Sequence, residues 1–152
     1  MTGTAERIRS SREAARMTQA QLADLAGVSQ PKLSAYERGT IEPKRDTLDR
    51  ILSFARARPS EVLESHADAV VLIAQKFHIS RVRVFGSLVH GTDTTQSDVD
   101  LLVSFNDNAS LLDQMGFQRE TSDLLGYPVD VVSDRADPNP ILDRIIAEAV
   151  PL

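Results

Sequence analysis

At Ser80 the hydrophobic period of the chain changes from about 3.6 residues to two, and that change constrains most of what the chain can be. Upstream, apolar residues recur at helical spacing and no alternating run appears. Downstream, Arg81-Val82-Arg83-Val84-Phe85 alternates polar and apolar side chains, as a half-buried strand does. Asp98-Val99-Asp100-Leu101-Leu102-Val103 reads as a second strand and Val129-Asp130-Val131-Val132 as a third. Helices are expected between and after them, over residues 110–125 and 140–149. The pattern predicts an all-helical first module, residues 1–62, and an α/β or α+β module with a small sheet, residues 63–152. The junction is expected between 58 and 66, where Ala57-Arg58-Pro59-Ser60 ends one helical pattern. A new one starts at Ser60 and Glu61, before a helix over residues 67–77.

Charge divides the chain at the same place. Residues 1–60 hold 11 Lys/Arg against 7 Asp/Glu, a balance of +4, whereas residues 61–152 hold 6 against 15, a balance of -9. A basic module joined to an acidic one implies different partners for the two. With no cysteine, neither a disulfide scaffold nor a zinc-cysteine site is possible. The longest apolar run, Ala69-Val70-Val71-Leu72-Ile73-Ala74, is far short of the ~20 residues that span a bilayer. The first residues carry arginines and no apolar core of a signal peptide. These features predict a cytoplasmic protein with no membrane partner.

The basic module carries ordered helix signals. Residues 5–16 are rich in Ala, Arg and Glu, which tolerate helix. Thr18 and Gln21 form a capping-box pattern opening a helix over residues 19–26, with Leu22, Ala23, Leu25 and Ala26 as its apolar stripe. Gly27 suits a left-handed stop, Val28 plugs the corner, and Ser29 caps a second helix with Pro31 in its first turn. That helix turns Leu33 and Tyr36 inward and leaves Gln30, Lys32, Ser34 and Arg38 on the other side. A further short helix carries Leu48, Ile51, Leu52 and Ala55 and closes at Pro59. Two helices joined by a tight glycine turn have the geometry of helix-turn-helix recognition. A small helical bundle that binds protein is the plainer alternative.

The run from Met17 to Gly39, with Pro43 and Thr47-Leu48 after it, resembles the Xre family of phage-repressor-type regulators over about residues 5–58. The resemblance implies a recognition helix over residues 29–38 in the major groove. It places Gln19 beside a phosphate and Gln30 at the start of the recognition helix, where a glutamine amide pairs with adenine N6 and N7. Ser29, Lys32, Ser34 and Arg38 complete the expected DNA-binding set, divided between base and phosphate contact in a way the sequence leaves open. Single modules of this kind bind weakly, so a homodimer or higher assembly on palindromic operator DNA is expected.

The acidic module carries a denser signal. The first strand ends in Phe85-Gly86-Ser87, and after ten intervening residues comes Asp98-Val99-Asp100. Residues i and i+2 of a strand share a face, so these carboxylates lie side by side and repel, each pKa rising. A hard divalent cation reverses that repulsion. Asp130 is a lone acid among Val129, Val131 and Val132, and burying it there is costly unless a metal or partner compensates it. Three acids from two neighbouring strands suit two metals on a triphosphate. Gly86 lets the backbone approach a phosphate, and amides near Ser87, opening a short helix, can donate to it. Asp93, Asp107 and Asp113 read as solvated cap or turn residues, and His66 and His78 as surface or helix-end residues without acidic partners. Gly-Ser plus ten residues plus Asp-x-Asp arises by chance on the order of 10⁻³ times in a chain of average composition, so the functional reading of this spacing prevails.

The stretch from Gly86 to Gly91 and from Ser97 to Val103 resembles the minimal nucleotidyltransferase (MNT) family of the DNA polymerase beta superfamily, over about residues 67–150. The resemblance implies a polymerase-beta-like fold with a short mixed sheet and Mg²⁺-dependent transfer of a nucleoside monophosphate to a hydroxyl. In it Asp98 and Asp100 bind both of two Mg²⁺ ions. Asp130 binds the catalytic ion and helps deprotonate the acceptor, and Gly86 and Ser87 hold the β/γ-phosphates. MNT proteins resemble the antitoxin halves of HEPN/MNT toxin–antitoxin pairs. That likeness implies AMP transfer from ATP to a hydroxyl, a tyrosine in this reading, of a HEPN-type toxin, with autoregulation through operator DNA. Two alternatives remain: a non-catalytic antitoxin and repressor using the fold only to bind its partner, and a stand-alone transferase. Arg83 and His90 match the Arg-x(4–6)-His count of HEPN ribonucleases, but their strand and turn positions make the match coincidental.

Overall fold

The computed structural model describes residues 3–152, and the chain divides into two compact units, one ending at Arg58 and the other spanning Pro59–Leu152. The first unit contains α1 (Thr4–Ala14), α2 (Gln19–Ala26), α3 (Gln30–Glu37) and α4 (Arg45–Phe54). Local chemistry sets the limits of α2: Thr18 accepts from the Gln21 N–H and the Gln21 side chain returns to the Thr18 N–H. Gly27 then turns the chain at φ 68°, a left-handed conformation that a side chain disfavours. Ser29 stands at the N-cap of α3, although its hydroxyl makes no capping hydrogen bond. Ile8, Leu22, Ala26, Leu33, Tyr36 and Ile51 close the core, with Val28 packed against it. Leu25, expected in the stripe of α2, is instead 39% exposed. The α2 core face is narrower than four apolar residues, because Leu22, Ala23 and Ala26 already fill it.

The second unit begins with α5 (Pro59–Ser65) and α6 (Ala67–Lys76), then β1 (Ile79–Phe85), the short α7 (Ser87–His90) and β2 (Val99–Phe105). It continues with α8 (Leu111–Leu125), β3 (Val129–Ser133), α9 (Pro140–Glu148) and the two-residue β4 (Val150–Pro151). The sheet order is β3-β2-β1-β4, with β1 antiparallel to both β2 and β4 and β2 parallel to β3. Parallel neighbours need a long crossover, and α8 supplies it.

Strand alternation sends the even residues of β1 and the odd residues of β2 and β3 into one core. There Val82, Val84, Leu101, Val103, Val129 and Val131 meet Val70 and Ala74 of α6 and Phe117 and Leu125 of α8. Helices α6 and α8 press close at one point: a methyl group on Gly116 would fall 2.4 Å from the Phe77 ring. The opposite face carries Phe85, Leu102 and Val132 under Leu142 and Ile145 of α9 and Ala149 just after it. Its far end buries Arg83, whose Nη2 donates to Asp134 Oδ2 at 2.9 Å, and Ser104 donates to the same oxygen. Among the described residues, no helix is long and apolar enough to cross a membrane.

Candidate active site and nucleic-acid interface

The strand register places the acids. Asp100 sits opposite Phe85 in the β1–β2 pairing and opposite Asp130 in the β2–β3 pairing, so the end of β1, Asp100 and Asp130 line up across the sheet. Asp100 and Asp130 share the α9 face with Leu102 and Val132, because strand side chains repeat every two residues. Asp98 lies just ahead of β2 rather than within it, and is exposed. Asp130 is exposed too, which corrects the expectation of a buried acid: its neighbours Val129 and Val131 turn into the core while it turns outward. Asp100 is half-buried.

None of these three carboxylates has a hydrogen-bond or ion-pair partner among the described residues. The result is visible in Asp100, whose pKa is pushed up to about 6. Burial is the largest cause, followed by the charges of Asp130, Asp98 and Glu148. Among the described residues no three His, Asp or Glu side chains are gathered closely enough to hold an ion as they stand. The donor chemistry nonetheless suits a hard divalent cation: all the ligating atoms are oxygens, and the charge they crowd together lacks a counter-charge.

Beside the acids the chain makes a turn that only glycine can make. Gly86 has φ 75° and ψ -147°, a region closed to residues with a side chain. A Cβ there would also fall 2.4 Å from Asp100 Oδ2. The Gly86 amide donates to Glu148 Oε1 at 3.1 Å, and the other carboxylate oxygen of Glu148 lies 3.0 Å from His90 Nε2. A carboxylate thus occupies the amide expected to meet a phosphate. Glu148 was not foreseen, since a lone acid at the end of an amphipathic helix gives no sequence signal of where the helix end docks. Ser87, half-buried, opens α7 as expected.

Other side chains depart from expectation. Asp93 is buried and accepts from the Ser60 N–H at the start of α5, so it is not a solvated turn residue. Asp113 completes the capping box of α8 and also meets His78 Nδ1 at 3.1 Å, giving that histidine an acidic partner. The His66 ring reaches the Val62 carbonyl at 2.9 Å.

In the first unit two of the expected DNA-binding residues, Gln19 and Gln30, are linked by a polar chain. Gln30 Nε2 donates to Gln19 Oε1 at 3.0 Å, and Gln19 Nε2 donates to Glu37 Oε2 at 2.9 Å. Glu37, its side chain 1% exposed, also accepts from Arg12 Nε at 2.6 Å and Arg12 Nη2 at 3.0 Å. Burial alone would raise the Glu37 pKa, but the hydrogen bonds from Arg12 and Gln19 and the charges of Arg12 and Arg9 hold it below the usual range. The chain fixes the first residues of α2 and α3 against each other. It uses one Gln30 N–H and leaves that amide a donor and an acceptor for a base edge. Ser29, Lys32 and Arg38 are exposed beside it, while Ser34 is half-buried.

Comparison with known proteins yields two family matches. The family described as "Polymerase beta, Nucleotidyltransferase" matches residues 69–152, and a helix-turn-helix domain family matches residues 5–64. MJ0435 of Methanocaldococcus jannaschii, provisionally named a protein adenylyltransferase, is 35% identical over 81 residues, which cover 53% of this chain and 87% of that one. The protein adenylyltransferase MntA of Thermococcus cleftensis is 32% identical over 104 residues, covering 68% of this chain and 94% of its own. A solved structure provisionally described as a minimal nucleotidyltransferase superposes with a TM-score of 0.56 at 36% identity, covering 61% of this chain and 95% of that chain.

Proposed function

The chain belongs to the polymerase beta nucleotidyltransferase family, and on that premise we propose that it transfers AMP from ATP to a hydroxyl of a partner protein. One observation carries the reading. Three carboxylates, Asp98, Asp100 and Asp130, crowd beside a glycine-only turn without any partner among the described residues, and Asp100 is pushed up to about 6. Ordinary surface acids are not left in mutual repulsion next to a strained backbone. The protein adenylyltransferase name of MntA adds support for protein as the acceptor class.

In the reaction the acceptor oxygen forms a bond to the α-phosphorus of ATP, the bond to the β-phosphate oxygen breaks, and pyrophosphate leaves. Asp98, Asp100 and Asp130 would hold Mg²⁺, two ions in this reading, which would neutralise the triphosphate and stabilise the attacking and leaving oxygens. Asp130, exposed at the edge strand, takes part in removing the acceptor's proton. Gly86 and Ser87 hold the β/γ-phosphates once Glu148 yields the Gly86 amide. The partner in this reading is a HEPN-type toxin modified on a tyrosine. The helix-turn-helix unit binds palindromic operator DNA as a homodimer or higher assembly through Gln19, Ser29, Gln30, Lys32, Ser34 and Arg38, repressing its own operon.

A second reading, partner binding and repression without transfer, draws on the observation that the described acids are not gathered into a ready ion site. Incubation with labelled ATP, Mg²⁺ and the protein encoded beside this one separates the two. Transfer predicts label on that protein, lost in Asp98→Ala/Asp100→Ala. Label that survives the double substitution refutes the assigned site, and no label with any nucleotide favours the second reading.

A further inference from the structure

We propose that the outer face of α8 is the docking surface that delivers the acceptor protein to Asp130, an inference that rests on protein as the acceptor class. A cleft of about 460 Å³ opens between α8 and the start of β3, with Asp130 at its rim. Its α8 wall is formed by Met115, Gln118, Arg119, Ser122 and Asp123. These positions are three and four residues apart and therefore share one helix face, and Leu111 and Leu112 extend that face toward the start of the helix. The extension is apolar and uncovered: Leu111 is 71% exposed, Leu112 77% and Met115 58%. From Leu111 to Ser122 the face runs for roughly 16 Å along the helix at 1.5 Å per residue, the length of a short peptide segment.

Two sides of the site are already lined. On the far side of Asp100 stand Gly86, Glu148 and His90, and above the sheet lies α9. The edge of β3 along α8 offers an open route to Asp130, which is exposed. Charge chooses the occupant. The second unit has 6 Lys/Arg against 15 Asp/Glu, and Arg119 is the sole cation lining this cleft, beside Asp123 and Asp130. Such a surface repels a polyanion, so a nucleic-acid acceptor is disfavoured. Three large apolar side chains leading to a cleft that holds Arg119, Asp123 and Asp130 suit a protein segment that is apolar on one side and carries its hydroxyl beyond it.

The test uses the full chain, Leu112→Glu/Met115→Glu as the variant, and Leu72→Glu, at an equally exposed position of α6, as the control (66% exposed). Both substitutions lie on the surface, and a melting curve confirms that each variant folds. With the protein encoded beside this one as acceptor, AMP transfer and direct binding are measured separately, together with the affinity for a fluorescent ATP analogue. The expected result is a KM for the acceptor and a dissociation constant raised about tenfold or more, with kcat and ATP affinity unchanged and Leu72→Glu like wild type. A variant that binds and labels the acceptor like wild type overturns the inference, as does an equal loss in Leu72→Glu. Binding lost in the variant but no transfer by wild type would leave the surface standing and refute AMP transfer. Neither binding nor transfer by wild type would refute both.

Discussion

Replacing Asp100 with Asn removes the most crowded charge of the site, and it is expected to stabilise the second unit at neutral pH while abolishing transfer. Folding raises the Asp100 pKa from 3.8 to about 6, through burial first and then through Asp130, Asp98 and Glu148. At ~1.4 kcal/mol per unit the shift would correspond to ~3 kcal/mol, but a half-buried carboxylate is screened by water, and ~1 kcal/mol is the magnitude to expect. Because the native pKa is the higher one, the native state binds more protons than the unfolded chain between about pH 4 and about pH 6. The stability that protonated Asp100 allows is therefore full below the unfolded value of 3.8 and is lost as pH rises through about 6. Asn suffers no such loss. Urea denaturation followed by hydrogen exchange of the β2 amides reads the second unit alone. Asp100→Asn is expected to exceed wild type by ~1 kcal/mol at about pH 8 and to match it at about pH 4. Added Mg²⁺ is expected to stabilise wild type more than the variant. An equal difference at both pH values, or a variant less stable at the higher one, would refute the claim that the half-buried charge of Asp100, crowded by its neighbours, strains this site.

Three further outcomes follow from the geometry. Gly86→Ala must leave the backbone conformation at φ 75° and displace Asp100, so it is expected to cost ~1–3 kcal/mol by urea denaturation and to weaken binding of a fluorescent ATP analogue. Glu148→Gln keeps an oxygen for the Gly86 amide but removes the charge that opposes a phosphate there, so the same titration is expected to show tighter binding; weaker binding would make Glu148 a support rather than a competitor. Glu37→Ala strips half-buried Arg12 of its two-pronged carboxylate partner, leaving it the Met17 carbonyl and the exposed Glu13, and is expected to cost the first unit ~1–3 kcal/mol by hydrogen exchange in α3, with loss of operator binding in a gel shift. Since the Glu37 pKa is depressed, its contribution is present above the unfolded value of about 4.5 and is lost as pH falls through the lower native value.

Local signals were legible in the sequence and remote ones were not. Thr18, Gln21 and Gly27 write the limits of α2 within a few residues of chain, and the alternation from Arg81 to Phe85 writes a strand; both are found where they were expected. Asp98, Asp100 and Asp130 were legible as a spacing, and the parallel register of β2 and β3 sets Asp100 opposite Asp130. Glu148 was not, because only the tertiary path of α9 brings it to Gly86. The strand β4 was missed for a similar reason: two residues, one of them proline, form no pattern and pair with β1 only because the sheet edge is there. Exposure was misjudged at Leu25 and Asp130. Periodicity tells which residues share a face, but not how wide the neighbouring element is that covers it.

The pairing of Asp100 with Asp130 also limits how this protein can evolve. Their alignment is set by the register of two parallel strands, so lengthening the connections on either side of α8 leaves it untouched. Loss of a single residue inside β3 would instead bring a valine opposite Asp100 and turn the aspartate toward the core. The neighbourhood of the site therefore tolerates insertions of many residues in its loops, and not the deletion of one in its strand. Diversity in sequences of this kind should accumulate around the ends of α8, where a changed partner can be accommodated without disturbing the chemistry.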